Sequence, residues 1–238
     1  MSSQYASDVP PGGSHLERYA RCLNAVEINS SFYRPHQFKT YERWARSTPK
    51  HFRFAVKVPK AITHEQRLAD CKSLLDRFVE EVSGLGAKLG VLLVQLPPTL
   101  ALERRVAGPF FRGLRKRFDV PIACEPRHES WFAPKIGDWL AERGIARVAA
   151  DPAPVEGAGE PGGWSGLTYY RWHGSPRIYY SDYDAVALEG LEKRLAAALR
   201  NDLPIWCIFD NSAADAALGN ALALQRALGR RAFSSAAG

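Results

Sequence analysis

An α/β architecture built on a parallel sheet is what this sequence predicts, on three observations. Seven short runs rich in β-branched and aromatic residues recur along the 238-residue chain, with segments of helical periodicity between them. Such alternation needs crossover connections, and those produce parallel sheets. Most of the runs are apolar on both faces, as strands between an interior and a layer of helices must be. The length suits one domain, and a TIM-like (β/α) barrel, typically about 250 residues, fits all three.

Taken in order, residues 1–14 are polar and rich in Pro and Gly, and form an irregular N-terminal segment. A helix is expected near 15–22, a strand at 25–29 and a helix at 39–47. The strand at 52–58 leads to Thr63-His64-Glu65-Gln66, which reads as a capping box opening a long helix, 65–85. Strands at 90–96, 120–125 and 145–151 alternate with helices at 103–117 and 134–143. The Pro- and Gly-rich loop 152–163 is long for a connection, so it is a mobile cover over a pocket or a tolerated insertion. Strand 167–173, helix 188–199, strand 204–211 and helix 213–228 complete one domain over 15–228, followed by a flexible tail at 229–238. Seven strands are visible where a closed barrel has eight. The absent one belongs ahead of the first helix: the barrel is open there, or the chain begins downstream of that strand.

The 46% hydrophobic and 24% charged composition is that of a folded protein. The net charge of +7 raises nucleic acid as a partner, but the cations are scattered. The densest run, Arg112, Arg115, Lys116 and Arg117, reads as a solvated helix face. Four widely spaced cysteines without a Cys-x-x-Cys pair read as buried, reduced thiols. No stretch of about 18 apolar residues offers a membrane span, and no signal peptide is visible, which leaves a cytoplasmic location.

The chemistry lies in how the strands end. They close in turn on Glu27 with Asn29, Lys57, Gln95, Glu125 with Arg127, Asp151, Arg171 with His173, and Asp210-Asn211. Parallel strands bring their C-terminal ends to one face, where polar groups converge on a pocket. The bland alternative is a set of salt bridges, Glu27–Lys57 or Glu125–Arg171, that only fixes the fold. Alternation puts Glu27 with Asn29, Glu125 with Ala123 and Arg127, and Arg171 with Tyr169 and His173 on shared faces. Lys57, Arg127, Arg171 and His173 could hold a phosphate or carboxylate. Glu27, Glu125 and Asp151 could act as general acid or base, or bind a divalent metal. Phe32, Tyr33, Trp131, Tyr180 and Tyr183 could stack on a sugar or base, or cap the core. No P-loop, nucleophile elbow or His-Glu-x-x-His occurs, and the spacing of His64, His128 and His173 is not diagnostic of a metal.

Several ordered motifs resemble one family. They are Val26-Glu27-Ile28-Asn29-Ser30-Ser31-Phe32-Tyr33, Phe52-x-Phe54-x-Val56-Lys57-x-Pro59, Ile62-Thr63-His64 and Val94-Gln95-Leu96-Pro97-Pro98. Glu125-Pro126-Arg127-His128-x-Ser130-Trp131-Phe132, Tyr170-Arg171-Trp172-His173-Gly174 and Phe209-Asp210-Asn211 continue the series. Over residues 15–228 the chain resembles the YecE-like family, the domain of unknown function 72. The resemblance implies a TIM-like barrel and places Glu27, Asn29, Lys57, His64, Gln95, Glu125, Arg127, His128, Asp151, Arg171, His173 and Asn211 at motif positions. Two departures stand out. The family's opening strand, of the type Gly-Thr-x-Gly-Trp, has no counterpart here, which implies that Met1 falls inside the first loop. Asp210 stands where relatives tend to have Asn, so its charge is expected to be incidental.

The leading expectation is an enzyme, a hydrolase or isomerase, acting on a small anionic or sugar-like ligand. Glu27 or Glu125 would serve as base or metal-binding carboxylate, with His173 or His64 as proton-transfer partner and Lys57 with Arg171 as anion clamp. The alternatives are a nucleic-acid-binding or nuclease-like barrel and a non-catalytic ligand-binding protein. The cofactor stays open, with a divalent metal among the options.

Overall fold

The computed structural model describes residues 9–199 and 203–235. Strands β1 (Ala25–Ile28), β2 (Arg53–Lys57), β3 (Leu89–Gln95), β4 (Ile122–Glu125) and β5 (Ile145–Arg147) pair in sequence order, all parallel. After Val148 the chain continues as β6 (Ala149–Asp151), which begins a second parallel group with β8 (Thr168–Trp172) and β9 (Ile205–Phe209). The two-residue β7 (Gly162–Gly163) lies antiparallel to β5. All seven expected strands are present, one of them divided at Val148.

The helices are α1 (His15–Ala20), α2 (Ser30–Tyr33), α3 (Phe38–Arg46), α4 (Lys72–Val82), α5 (Arg104–Arg115), α6 (Pro134–Ala141), α7 (Ala185–Leu199) and α8 (Ala216–Ser235). The 152–163 loop is no free cover. It folds back so that Ala158 is buried and accepts a hydrogen bond from the Ala150 amide, and it ends as β7. The last helix runs on to Ser235, into the stretch expected as a tail. The capping box does not form. Residues Ala61–Glu65 make a π-turn, and Arg67, Leu68 and Asp70 follow in the left-handed region. Helix α4 therefore starts only at Lys72.

Alternation divides the sheet residues cleanly. Ala55, Val91, Leu93, Ala123, Ala146, Val148 and Tyr169 pack together on the inner face, with Trp206 and Ile208 of β9 against them. The outer faces of β1–β5 pack on α1–α6, and those of β6, β8 and β9 pack on α7 and α8. Small inner residues such as Ala55 and Ala123 leave room near the axis for the long polar side chains one step further up.

The sheet does not close. β1 pairs only with β2 and β9 only with β8, and among the described residues no strand lies between them. A cavity of about 730 Å³ occupies that position, lined by both edge strands and by α7 and α8. Every residue of β9 is consequently half-buried, whereas β3 and β4 are sealed over most of their length. The fold is α/β with a mostly parallel, open sheet.

Candidate functional site

Arg171 organises the upper inner face. It follows Tyr169 on the inward side of β8 and is fully buried, with 0% exposure. Its Nε lies 3.2 and 3.1 Å from the two carboxylate oxygens of Glu27, and its Nη2 donates to Glu27 Oε1 at 2.7 Å and Asp210 Oδ2 at 2.9 Å. Its Nη1 donates to Glu125 Oε2. One guanidinium thus joins the ends of β1, β4, β8 and β9. The Tyr169 hydroxyl donates to Glu27 Oε2 at 2.7 Å, and Arg127 clasps Glu125 Oε1 through Nε at 3.0 Å and Nη2 at 2.8 Å.

His173, next on the same face, sits between two carboxylates. Its Nε2 is 3.3 Å from Glu125 Oε1, and its Nδ1 is 3.2 Å from Asp210 Oδ2. Nδ1 faces an acceptor, whereas Nε2 faces Glu125 and also, at 3.5 Å, the donor Arg171 Nη1; a protonated ring satisfies both carboxylates. Burial would lower its pKa, but the hydrogen bonds to Asp210 and Glu125 prevail and hold it above the ordinary value. Burial would likewise raise Glu125, yet the charge of Arg171, with His173 and Arg127, keeps that carboxyl well below the usual range. A carboxylate so held is a weak base. Glu125 and Glu27 act as counter-ions to Arg171, and they do not present a free pair of oxygens. Among the described residues, no three His, Cys, Asp or Glu side chains group so as to hold a metal ion.

Lys57 and His64 form a second, electropositive side of the mouth. Lys57 is 7% exposed, and its Nζ rests 4.0 Å from the centre of the Phe32 ring. Among the described residues no carboxylate comes within 4.0 Å of it, so the Glu27–Lys57 pair is not made. Burial and the nearby Arg171, partly offset by Glu125, Glu27 and Asp210, bring its pKa down to about 8. The His64 ring lies edge-on to Phe32 at 4.9 Å, and its Nδ1 is 2.8 Å from the Thr63 hydroxyl. Burial, followed by the charges of Lys57, Arg127 and Lys60, lowers its pKa to about 4, so this ring is neutral at pH 7. Gln95 is buried on the inner face of β3, in register with Glu125.

Other expected members have different work. Asp151 falls on the outward side of β6, where its carboxylate accepts from the Tyr183 hydroxyl at 2.7 Å. Asn211 also turns outward, donating to Ser181 O and to Asn220 Oδ1. His128 caps the short turn Glu129–Trp131, accepting from the Ser130 amide. Asn29 donates to Asp210 Oδ1 at 3.3 Å across the open edge of the sheet. Arg171 is no anion clamp, since carboxylates already surround it. Asp210 is far from incidental: it touches Arg171, His173 and Asn29. The signal was the inward alternation Trp206, Ile208, Asp210.

Trp131 and Tyr183 are buried core residues, whereas Tyr33 is 78% exposed. The basic run is only partly a solvated face. Arg115 donates to the carbonyls of Val120 and Gly144, and Arg117 pairs with Asp76. Cys71 and Cys124 are buried, Cys22 and Cys207 are half-buried, and none is in a disulfide. No described helix is long and apolar enough to cross a membrane.

Comparison with known proteins agrees with this architecture. The chain is 33% identical over 153 residues to the UPF0759 protein YecE of Escherichia coli K12, and 28% identical over 155 residues to YunF of Bacillus subtilis. Those matches cover 62% and 60% of this chain and 56% and 55% of the relatives, so the chain matches about half of their length. Among solved structures, a DUF72 family protein from Enterococcus faecalis V583 superposes with a TM-score of 0.78 at 23% identity, covering 91% of this chain and 88% of that one. One from Thermotoga maritima MSB8 gives 0.72 at 23% identity, covering 87% and 85%. These likenesses establish the fold. The model of the family described as "protein of unknown function DUF72" matches residues 2–237, and the chain belongs to that family.

Proposed function

We propose that the protein is an enzyme of the hydrolase or isomerase kind, moving a proton on a small anionic or sugar-like ligand at the mouth of the sheet. The observation that carries this is His173, an imidazolium suspended between Glu125 and Asp210 at 3.3 and 3.2 Å. An imidazole held this way is oriented from both sides and holds its proton more tightly than a free imidazole. It can give that proton to an oxygen of the ligand when one of the two carboxylate contacts opens, and retake it as that contact re-forms. Arg171 keeps both carboxylates ionised and fixed, so it acts as a positioning residue.

On this reading the proton acceptor is a group other than Glu125, whose basicity is suppressed. Lys57, with a pKa of about 8, is mostly protonated at pH 7 and serves as a cation at the mouth, not as that acceptor. The test is a turnover screen of phosphate esters, sugar phosphates and hydroxy acids with wild type and His173→Gln. A substrate turned over by wild type, with kcat reduced at least about a hundredfold in the variant, is the expected outcome. Equal turnover by both proteins would sink the reading.

A further inference from the structure

We infer that the mouth contains a dedicated anion subsite, formed by Lys57, Gln95, His64 and Arg127, which takes the phosphate or carboxylate group of a ligand. This rests on the reading of the mouth as a ligand site and goes beyond it by naming the group bound and its holders.

Charge balance is the first argument. The inner cluster contains the carboxylates Glu27, Glu125 and Asp210 together with Arg171, Arg127, His173 and Lys57. Arg171, Arg127 and His173 each touch a carboxylate, whereas Lys57 touches none among the described residues, and a buried cation without a counter-ion is costly.

Unpartnered polar groups are the second argument. Lys57 and Gln95 are each more than nine-tenths buried, at 7% and 6% exposure. They sit at the inner ends of the adjacent strands β2 and β3, and neither side chain makes a hydrogen bond or ion pair among the described residues. Neither belongs to the fully enclosed polar groups that lack a partner, so their polar atoms open onto the mouth, where an acceptor can meet them. Both are donors: three N–H on the ammonium, two on the amide.

The third argument is the arrangement around them. Phe32 packs beneath Lys57 on one side and His64 on the other, which holds both at a fixed spacing. Thr63 engages His64 at Nδ1, and Nε2 is a donor toward the mouth only in the tautomer in which the Thr63 hydroxyl donates to Nδ1 instead of to Pro59 O. Arg127 uses Nε and Nη2 on Glu125, so its Nη1 stays available. Lys60 is drawn off to Glu65 at 3.5 Å and is half-exposed, so it supplies long-range field and no contact. Lys57, Gln95 and Arg127 Nη1 thus offer donors on one side of the mouth, with His64 beside them and Glu125 bound to the other edge of Arg127.

Inorganic phosphate and acetate are the probes, titrated calorimetrically into the full chain at pH 7 and constant ionic strength. Saturable binding of one equivalent of either ion is expected, phosphate pointing to a phosphorylated ligand and acetate to a carboxylic acid. Lys57→Met should weaken it at least about tenfold and Gln95→Leu several-fold, while Lys57→Arg should retain it. Melting curves identify any variant that fails to fold, and Lys57→Arg then carries the comparison. Weak, non-saturable binding, or equal affinity in wild type, Lys57→Met and Gln95→Leu, would overturn the subsite. Because the readout is binding without turnover, it is independent of whether His173 transfers a proton.

Discussion

At the scale of single residues, Arg171 and Lys57 are two buried cations with opposite energetic standing. Arg171 contacts three carboxylates, so Arg171→Met would strand Glu27 and leave Glu125 and Asp210 to Arg127 and His173. Stranding one partner of a buried pair typically costs about 3–5 kcal/mol. A loss of at least that size in urea denaturation is expected. Lys57 has no counter-ion, and its pKa of about 8, against an ordinary 10.5, marks a charged form that folding disfavours by about 3 kcal/mol. Removing it should help: Lys57→Met is expected to raise stability at pH 7 by about 1–3 kcal/mol. Such a gain is the signature of a residue kept for binding at the expense of stability. Between pH 8 and 10.5 the unfolded state holds more protons at Lys57 than the native state, so wild-type stability gains from this group as pH rises, and the variant lacks that gain. His173 has the opposite sign. With its folded pKa raised, its contribution is complete below 6.5 and is lost as pH climbs through the folded value. Denaturation of Lys57→Met and His173→Gln across pH 6–10 separates the two, and a Lys57→Met protein no more stable than wild type would contradict the assignment of an unpaired charge.

At the scale of elements, the strands were readable because burial on both faces leaves a run of apolar residues that little else produces. Inner and outer assignments followed from alternation and hold for Glu27, Lys57, Glu125, Arg171 and His173. Asp151 and Asn211 were chosen only because they terminate strands, and both fall on the outward phase, so strand-end position alone was too coarse a rule. The start of α4 was illegible for a different reason. A Thr-x-x-Gln spacing marks a cap only if the backbone enters an α-helix there, and the π-turn with left-handed Arg67, Leu68 and Asp70 is set by tertiary packing around Ile62 and Leu68. The turn nevertheless brings His64 to the mouth. Packing between elements also explains Gly84, in the short 3₁₀ segment Ser83–Lys88. A Cβ there would lie 2.4 Å from the Phe38 carbonyl oxygen and 2.9 Å from the Glu42 amide nitrogen, both backbone atoms of α3. Gly84→Ala must push α3 outward, and a loss of about 1–3 kcal/mol in thermal or urea unfolding is expected. A neutral result would mean that α3 is not seated on this segment.

For the whole molecule, the open edge is the dominant fact. Counting strands in the sequence suggested an unclosed barrel, but the physical consequence is visible only in the topology: among the described residues β1 and β9 each pair on one side and face a cavity of about 730 Å³. Interior strands owe their stability to partners on both flanks, and an edge strand has half of those hydrogen bonds. Among the described residues, side-chain hydrogen bonds cross the gap near its upper end, through Asn29 with Asp210 and through Glu27 with Arg171 and Tyr169. The charged cluster therefore braces the open side, and its two roles are coupled: it shapes the mouth and ties β1 to β8 and β9. Amide hydrogen exchange should accordingly be graded across the sheet, slow in β3 and β4 and faster in β1 and β9, by openings well below the global unfolding free energy. Replacing Glu27 by Gln weakens the brace at its centre, so it should speed exchange in β1 and β9 while leaving β3 nearly unchanged. Uniform protection across all of these strands, or a Glu27→Gln effect spread evenly over the sheet, would show that the edges are not independent of the core and that the cluster does not brace the gap.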